Sequence, residues 1–275
     1  MRIAFCGSDY LATGLRRMLE DGHVLAAVFS ETPKGPAGRN GEILKLARDA
    51  GAGVTLERMR PHDVRRLGAL GVDLILSALY TWRIPPWQGE VGKAMNLHPA
   101  PLPIGRGPRP IPWVVAKGLT RSAVVLHEIS EGFDEGDIVA SWPFELTSRD
   151  TTTSVAARGR LIANRHVPAA IADLDRLWAN RTPQGPGEYW PGVRPQDRVI
   201  RWTDQVARVD RMLRAFSHLG LYIQTREQTY RVLEADVWEE AHGLAPGSRP
   251  LGGEHIFALA DGFIAFRRFQ ARRRD

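Results

Sequence analysis

The chain has 275 residues, of which 43% are hydrophobic and 25% charged. This is the balance of an ordinary globular protein, with length for one large unit and a smaller one. That excludes disordered, collagen-like and repeat architectures. No apolar run approaches the roughly 20 residues of a membrane span, and Met1 to Gly7 is too short to act as a signal peptide. A single cysteine excludes an internal disulfide and a multi-cysteine zinc site. The expectation is a cytoplasmic protein with no membrane partner.

Arg2 to Cys6 is a short apolar strand running into Gly7-Ser8-Asp9. Leu11 to Leu19 has helical spacing, and Val24 to Phe29 is an apolar run of strand length. Thr32 to Gly38 is a loop by composition. Helical patterns follow over Glu42–Ala50 and Asp63–Leu70, and then Asp73 to Ala78 reads as a buried strand. Continuous apolar strands separated by helices imply a parallel sheet covered on both faces. Only Gly7 and Gly14 occupy the first turn, so the G-x-G-x-x-G dinucleotide fingerprint is absent. Cys6, on the first strand, reads as a packing residue.

Residues 122–129 and 138–146 read as two more strands around a polar turn, Glu131 to Asp137. Thr152 to Asn180 is helical, with a break expected near Pro168. Residues 182–198 are rich in proline and glycine and form a candidate boundary. Thr203 is placed to cap a helix with apolar residues at Val206, Val209, Met212, Leu213 and Phe216. Short apolar segments after Gly220, with Asp261-Gly262 as a hairpin turn, predict a small β-rich unit. The expected architecture is therefore α/β. A Rossmann-like, mostly parallel sheet with helices on both faces occupies residues 1–190, and an OB-like helix and β-rich domain occupies residues 196–275. The net charge of +6 is carried mainly by arginines after residue 150. Their densest cluster, Arg267 to Arg274, reads as a solvated terminus.

The chemistry concentrates in residues 95–113. Asn96 and His98 lie one residue apart at the end of an apolar strand, so both side chains project from the same face. An amide and an imidazole placed there can converge on one oxygen. The second element is Asp134-Glu135-Gly136-Asp137-Ile138. Each element alone reads as an ordinary buried histidine or an Asx turn. Their combination, Asn-x-His-Pro, then Leu-Pro-x-x-Arg-Gly, then Asp-x-Gly-x-Ile, is specific.

With these motifs the sequence resembles the folate-dependent formyltransferases. That family includes glycinamide ribonucleotide, methionyl-tRNA and amino-sugar formyltransferases. The resemblance starts at Gly7-Ser8-Asp9, is strongest from Ser77 to Val139, and continues through Arg198 to Trp202. It implies that Asn96, His98 and Asp134 are the catalytic set and that 10-formyltetrahydrofolate is the donor, with no metal and no covalent enzyme intermediate. In that scheme Asn96 and a protonated His98 stabilise the oxyanion, while Asp134 keeps His98 charged and takes up the amine proton. The resemblance also places the pterin wall at Trp82 and Ile84, with backbone polar groups offered by the turn of Phe133, Glu135 and Gly136. Ala100, Pro101 and Gly105 stand where the family usually has Ser, Leu and Tyr.

The acceptor is read as the amine of a small molecule, foremost a nucleotide-linked amino sugar, whose phosphates would meet Arg106, Gly107 and Arg109. Arg106 also reads as a brace for its loop. The alternatives are methionyl-tRNA and an amino-acid-derived metabolite, with an idle folate-binding scaffold as the non-enzyme reading. Pro36-Ala37-Gly38-Arg39 resembles the methionyl-tRNA enzymes. The short loop after it and the modest basic excess disfavour a nucleic-acid partner. A homodimer is left open.

Overall fold

The structure is a computed structural model that describes residues 1–32, 39–250 and 255–273. Pro36, Ala37 and Gly38 of the tRNA-enzyme-like motif, and Arg274 of the basic cluster, lie outside the described residues. The chain divides into two compact units: Met1–Pro108, Arg121–Glu145 and Ala156–Trp190; and Arg109–Thr120, Leu146–Val155 and Pro191–Asp275.

In the first unit, β1 (Arg2–Gly7), β2 (Val24–Phe29), β3 (Gly53–Thr55), β4 (Leu74–Ala78) and β5 (Lys93–His98) are parallel. The intervening segments contain α1 (Ala12–Glu20), α2 (Gly41–Asp49) and α3 (Pro61–Ala69). After a short strand, β6 (Ile104–Arg106), and a helix, α4 (Pro110–Ala116), the sheet resumes with β7 (Arg121–Glu128) and β8 (Ile138–Glu145). β7 runs antiparallel to β5, and β8 antiparallel to β7. The strand order is β3-β2-β1-β4-β5-β7-β8. Both faces are packed: Ile3, Phe5, Leu74, Leu76, Met95 and Leu97 enter one core cluster, while Ala4, Cys6, Ile75 and Ala94 enter another. This is the mostly parallel α/β sheet expected from the apolar runs.

The long helix α5 (Thr152–Ala172) contains Pro168 without breaking there. Proline removes one intrahelical bond, but Ala163, Val167 and Ile171 are fully buried in the core cluster, and their packing holds the helix through it. The break comes instead before α6 (Leu174–Ala179), which is followed by a two-residue strand, β9 (Glu188–Tyr189). No helix among the described residues is long and apolar enough to cross a membrane.

The second unit does not follow a single cut near residue 190. It recruits α4 because Trp113 meets Phe216 edge-on, with ring centroids 5.7 Å apart. It also takes the start of α5, where Thr152 Oγ1 donates to the Ala215 carbonyl at 2.7 Å. Its main helix is α7 (Val206–Phe216). Thr203 does not cap it. The Asp261 carboxylate accepts the Val206 N–H at 2.7 Å instead, so the hairpin turn found in the sequence also supplies the cap. The β-rich part is an antiparallel sheet of β10 (Leu221–Gln224), β11 (Gln228–Glu239), β12 (Ile256–Ala258) and β13 (Gly262–Arg273), in the order β10-β11-β13-β12. The described arginines of the cluster, Arg267, Arg268, Arg272 and Arg273, are exposed, in line with a solvated terminus, and they lie on β13, where Arg272 and Arg273 pair with Thr229 and Gln228.

Candidate active site

A single rung of the large sheet builds the site. Cys6 lies beside Ser77, Ser77 beside Asn96, and Asn96 beside His127. Strand alternation sends Met95 and Leu97 into the core and leaves Asn96 and His98 on the other face. Ser77 Oγ donates to Asn96 Oδ1 at 2.8 Å, which fixes which way the amide faces. Asn96 Nδ2 then donates to His127 Nε2 and to Asp134 Oδ1, each at 3.2 Å.

Two glycines shape the loop after β5. Gly105 has φ +83°, and a Cβ there would fall 2.7 Å from the Trp190 ring. Gly107 has φ +118°, and its Cβ would fall 2.2 Å from the Trp190 carbonyl oxygen. Only glycine accepts both the backbone conformation and the close approach. The geometry places the Gly105 carbonyl 2.8 Å from His98 Nε2 and lets the Gly107 N–H donate to Asp134 Oδ2 at 2.9 Å. Asp134 itself has φ +56°, a left-handed conformation that costs a non-glycine residue roughly 1–2 kcal/mol. The bonds to its carboxylate offset that cost.

Asp134 Oδ1 lies 3.5 Å from His98 Nδ1 and 3.4 Å from His127 Nε2. The far nitrogens of both rings face backbone carbonyls: Gly105 for His98, and Glu128, at 2.8 Å, for His127. A carbonyl only accepts, so this assigns the ring protons to His98 Nε2 and His127 Nδ1. Each neutral ring then turns a lone pair toward the carboxylate. The three atoms lie within 4.8 Å of one another and could take a cation. A proton on either ring meets the same need without a metal.

His98 is 3% exposed. Burial pulls its pKa below the ordinary histidine value, against the raising effect of the Asp134 charge. Burial also pushes Asp134 up. Once the two rings take up protons at low pH, hydrogen bonding and charge from His127, the charge of His98 and the Gly107 N–H outweigh it, and its carboxyl is lowered to about 2. Burial thus works against the expected charging of His98 by Asp134 and favours a neutral ring beside the carboxylate.

The structure thus brings Asn96, His98, Asp134 and Gly107 together. The Gly107 N–H is spent on Asp134. Arg106 braces its loop, with Nε 3.2 Å from Gln184 Oε1 and one terminal nitrogen 3.0 Å from the Gly185 carbonyl; Glu135 lies 3.9 Å from its other terminal nitrogen. Arg109 is exposed at the start of α4, in the second unit. Trp82 packs edge-on against Tyr80, and Ile84 is buried in a core cluster with Met59 and Trp87. Phe133 is exposed, with the Arg83 guanidinium 5.3 Å above its ring, which sets the 79–87 loop beside the Asp134 turn. Gly136 is buried, and its carbonyl accepts from Gln184. Cys6 is fully buried, with its thiol pushed up by burial, as a packing residue.

Ser77, His127 and Gln184 are the site residues that the sequence motifs do not name. A signal existed for two of them: Ser77 is the lone polar residue of β4, and His127 directly follows the apolar run Ala123 to Leu126 of β7. In a sheet buried on both faces, such a residue needs a partner on a neighbouring strand.

Residues 6–171 match the family model described as formyl transferase, and residues 193–274 match formyl transferase, C-terminal domain. The chain belongs to the formyl transferase family. It is a folate-dependent formyltransferase, as the resemblance implied. Similar proteins include the methionyl-tRNA formyltransferase of Caulobacter vibrioides (strain NA1000 / CB15N), 30% identical over 79% of this chain and 74% of that protein. That of Anaeromyxobacter dehalogenans (strain 2CP-C) is 31% identical over 86% and 79%. Among solved structures, an N-formyltransferase from Helicobacter canadensis, complexed with folinic acid and dTDP-3-aminofucose, superposes with a TM-score of 0.71 at 15% identity, over 96% of this chain and 98% of that one. HypX from Aquifex aeolicus, complexed with tetrahydrofolic acid, gives 0.67 at 21% identity over 99% of this chain. The formyltransferase spans only 44% of the HypX chain.

Proposed function

We propose that this formyltransferase moves a formyl group from 10-formyltetrahydrofolate to the amine of a small molecule, with a nucleotide-linked amino sugar as the leading acceptor. The observation that carries the reaction is the convergence of buried His98 with partly buried Asn96 and Asp134 on one point. The neutral amine attacks the formyl carbon, and its C=O becomes an oxyanion. One Asn96 N–H passes from Asp134 to that oxygen, a contact worth roughly 3–4 kcal/mol. His98 Nδ1 takes the amine proton, and Asp134 stabilises the imidazolium that forms. Collapse of the adduct breaks the bond between the formyl carbon and N10. The electron pair goes to N10, and His98 returns the proton there. Trp82, Ile84 and the turn of Phe133, Glu135 and Gly136 remain the proposed folate wall. Arg109 remains the proposed phosphate partner.

The acceptor choice rests on charge pairing in the second unit. Arg194, Arg208, Arg214, Arg267 and Arg268 each lie against a carboxylate. Cations already matched by acids release few counterions on a polyphosphate. Methionyl-tRNA is the second reading, favoured by the sequence similarity to methionyl-tRNA formyltransferases. A panel decides between them: dTDP-linked amino sugars, amino-acid-derived amines and initiator methionyl-tRNA, each incubated with 10-formyltetrahydrofolate and read by the mass of one added formyl group. Formylation of methionyl-tRNA alone would overturn the small-molecule assignment.

A further inference from the structure

Three segments far apart in sequence meet at one side chain. Gln184 Nε2 donates to the Asp134 carbonyl at 2.9 Å and to the Gly136 carbonyl at 2.7 Å. Its Oε1 accepts from Arg106 Nε at 3.2 Å and from a terminal nitrogen of the same guanidinium at 3.1 Å. The flanking chain is tied to the same two loops. Thr182 and Ile138 exchange backbone bonds of 2.9 and 2.8 Å. A two-residue strand, Glu188–Tyr189, pairs with β6, and the Trp190 N–H donates to the Arg106 carbonyl at 2.6 Å.

We propose that Gln184 is a positioning residue for formyl transfer: its amide joins the turn that carries Asp134 to the loop that carries Arg106 and Gly107, and so holds the Asp134 carboxylate against His98 and His127. The inference rests on the proposed role of Asp134 in the reaction.

The physical argument starts from the left-handed backbone of Asp134. A single such residue persists only where its surroundings over-determine it. The Gly107 N–H holds the carboxylate end. Gln184 holds the backbone end by fixing two carbonyls that bracket the turn. With that anchor gone, the turn can relax toward a right-handed conformation and swing the carboxylate off the imidazoles. The site also selects for glutamine. It needs two N–H donors and one acceptor on a single planar group. Glutamate keeps the acceptor for Arg106 but brings no donor to the two carbonyls, and asparagine is one methylene short.

That difference sets the experiment. Gln184→Glu, Gln184→Ala and Asp134→Asn are prepared, and folding is checked by circular dichroism and thermal unfolding. Formyl transfer is measured with the acceptor found in the panel above. Binding of 5-formyltetrahydrofolate is measured by calorimetry, and the His98 imidazole is titrated by NMR in histidine-labelled protein. His98 is faced by Asp134, His127 and the Gly105 carbonyl. Loss of the Asp134 contact therefore moves its titration down, because that charge raises it. The expected result is a kcat lowered roughly ten- to a hundredfold in both Gln184 variants, as for an ångström-scale misplacement. Folate affinity changes little, and the His98 titration shifts in the direction seen for Asp134→Asn. If Gln184 only braces Arg106, Gln184→Glu keeps full activity while Gln184→Ala loses it, and that pattern overturns the proposal. So does an unshifted His98 titration in both variants. Should Asp134→Asn retain full turnover, the chemical role of Asp134 fails. The NMR shift then still shows whether Gln184 positions the carboxylate.

Discussion

Asp134 and Asp236 are both aspartates set against basic partners, and their surroundings separate them. The Asp134 side chain is 13% exposed between two buried imidazoles. The Asp236 side chain is 59% exposed, 3.2 Å from Arg267 on the neighbouring strand. Burial makes charge expensive, so the position of one proton in the first unit is set by backbone carbonyls and an amide. On the sheet of the second unit, water screens each pair to less than about 1 kcal/mol. Similar groups are held in a hydrogen-bonded cluster in one place and neutralise the surface in the other.

The sharpest way to break this contrast is to remove the buried groups. Asn96→Ala, His98→Ala and Asp134→Ala should each fold and lower turnover about a hundredfold or more. Near-normal rates in two folded variants, measured at saturating donor, would remove the mechanism.

Acid provides the next test. His98 titrates below its ordinary value when folded, so its contribution to stability is present above pH about 6.5 and is lost as pH falls through the folded pKa. Asp134 follows at lower pH: its folded value of about 2 lies below the ordinary 3.8. Stability it supplies above pH 3.8, on the order of 2 kcal/mol, should disappear as pH falls through about 2. Urea denaturation across pH should show both losses, and Asp134→Asn should flatten the lower one. Turnover should also fall on the acid side, where His98 is already protonated. Asp134→Asn should move any residual acid limb to lower pH.

A smaller effect is expected from Asp261→Ala, which removes the cap of α7. It should cost about 1 kcal/mol by urea denaturation and leave the catalytic rate unchanged. The smallest belongs to the exposed pairs. Arg267→Gln with Arg268→Gln should change stability by less than about 1 kcal/mol per pair. Arg272→Gln with Arg273→Gln should leave turnover on a small amine unchanged. A gel shift with initiator tRNA that weakens steeply with salt and is lost in the Arg272/Arg273 variant would favour the tRNA reading.

Continuous apolar runs such as Leu74 to Leu76 announce strands buried on both faces, and alternation at Met95-Asn96-Leu97-His98 places the amide and imidazole on one face. Those are properties of neighbouring residues, and the sequence by itself determined them, together with the family its motifs resemble. The strand register that sets Ser77, Asn96 and His127 in one rung, the bonds that hold the left-handed Asp134, the Gln184 clasp and the Asp261 cap join residues 19 to 78 positions apart. Only the tertiary structure decided these, because hydrogen-bond partners of buried groups are chosen by proximity in space. The direction in which burial moves the His98 pKa was decided there too. A sequence names the ionisable groups, but the desolvation that shifts them exists only once the chain has closed around them.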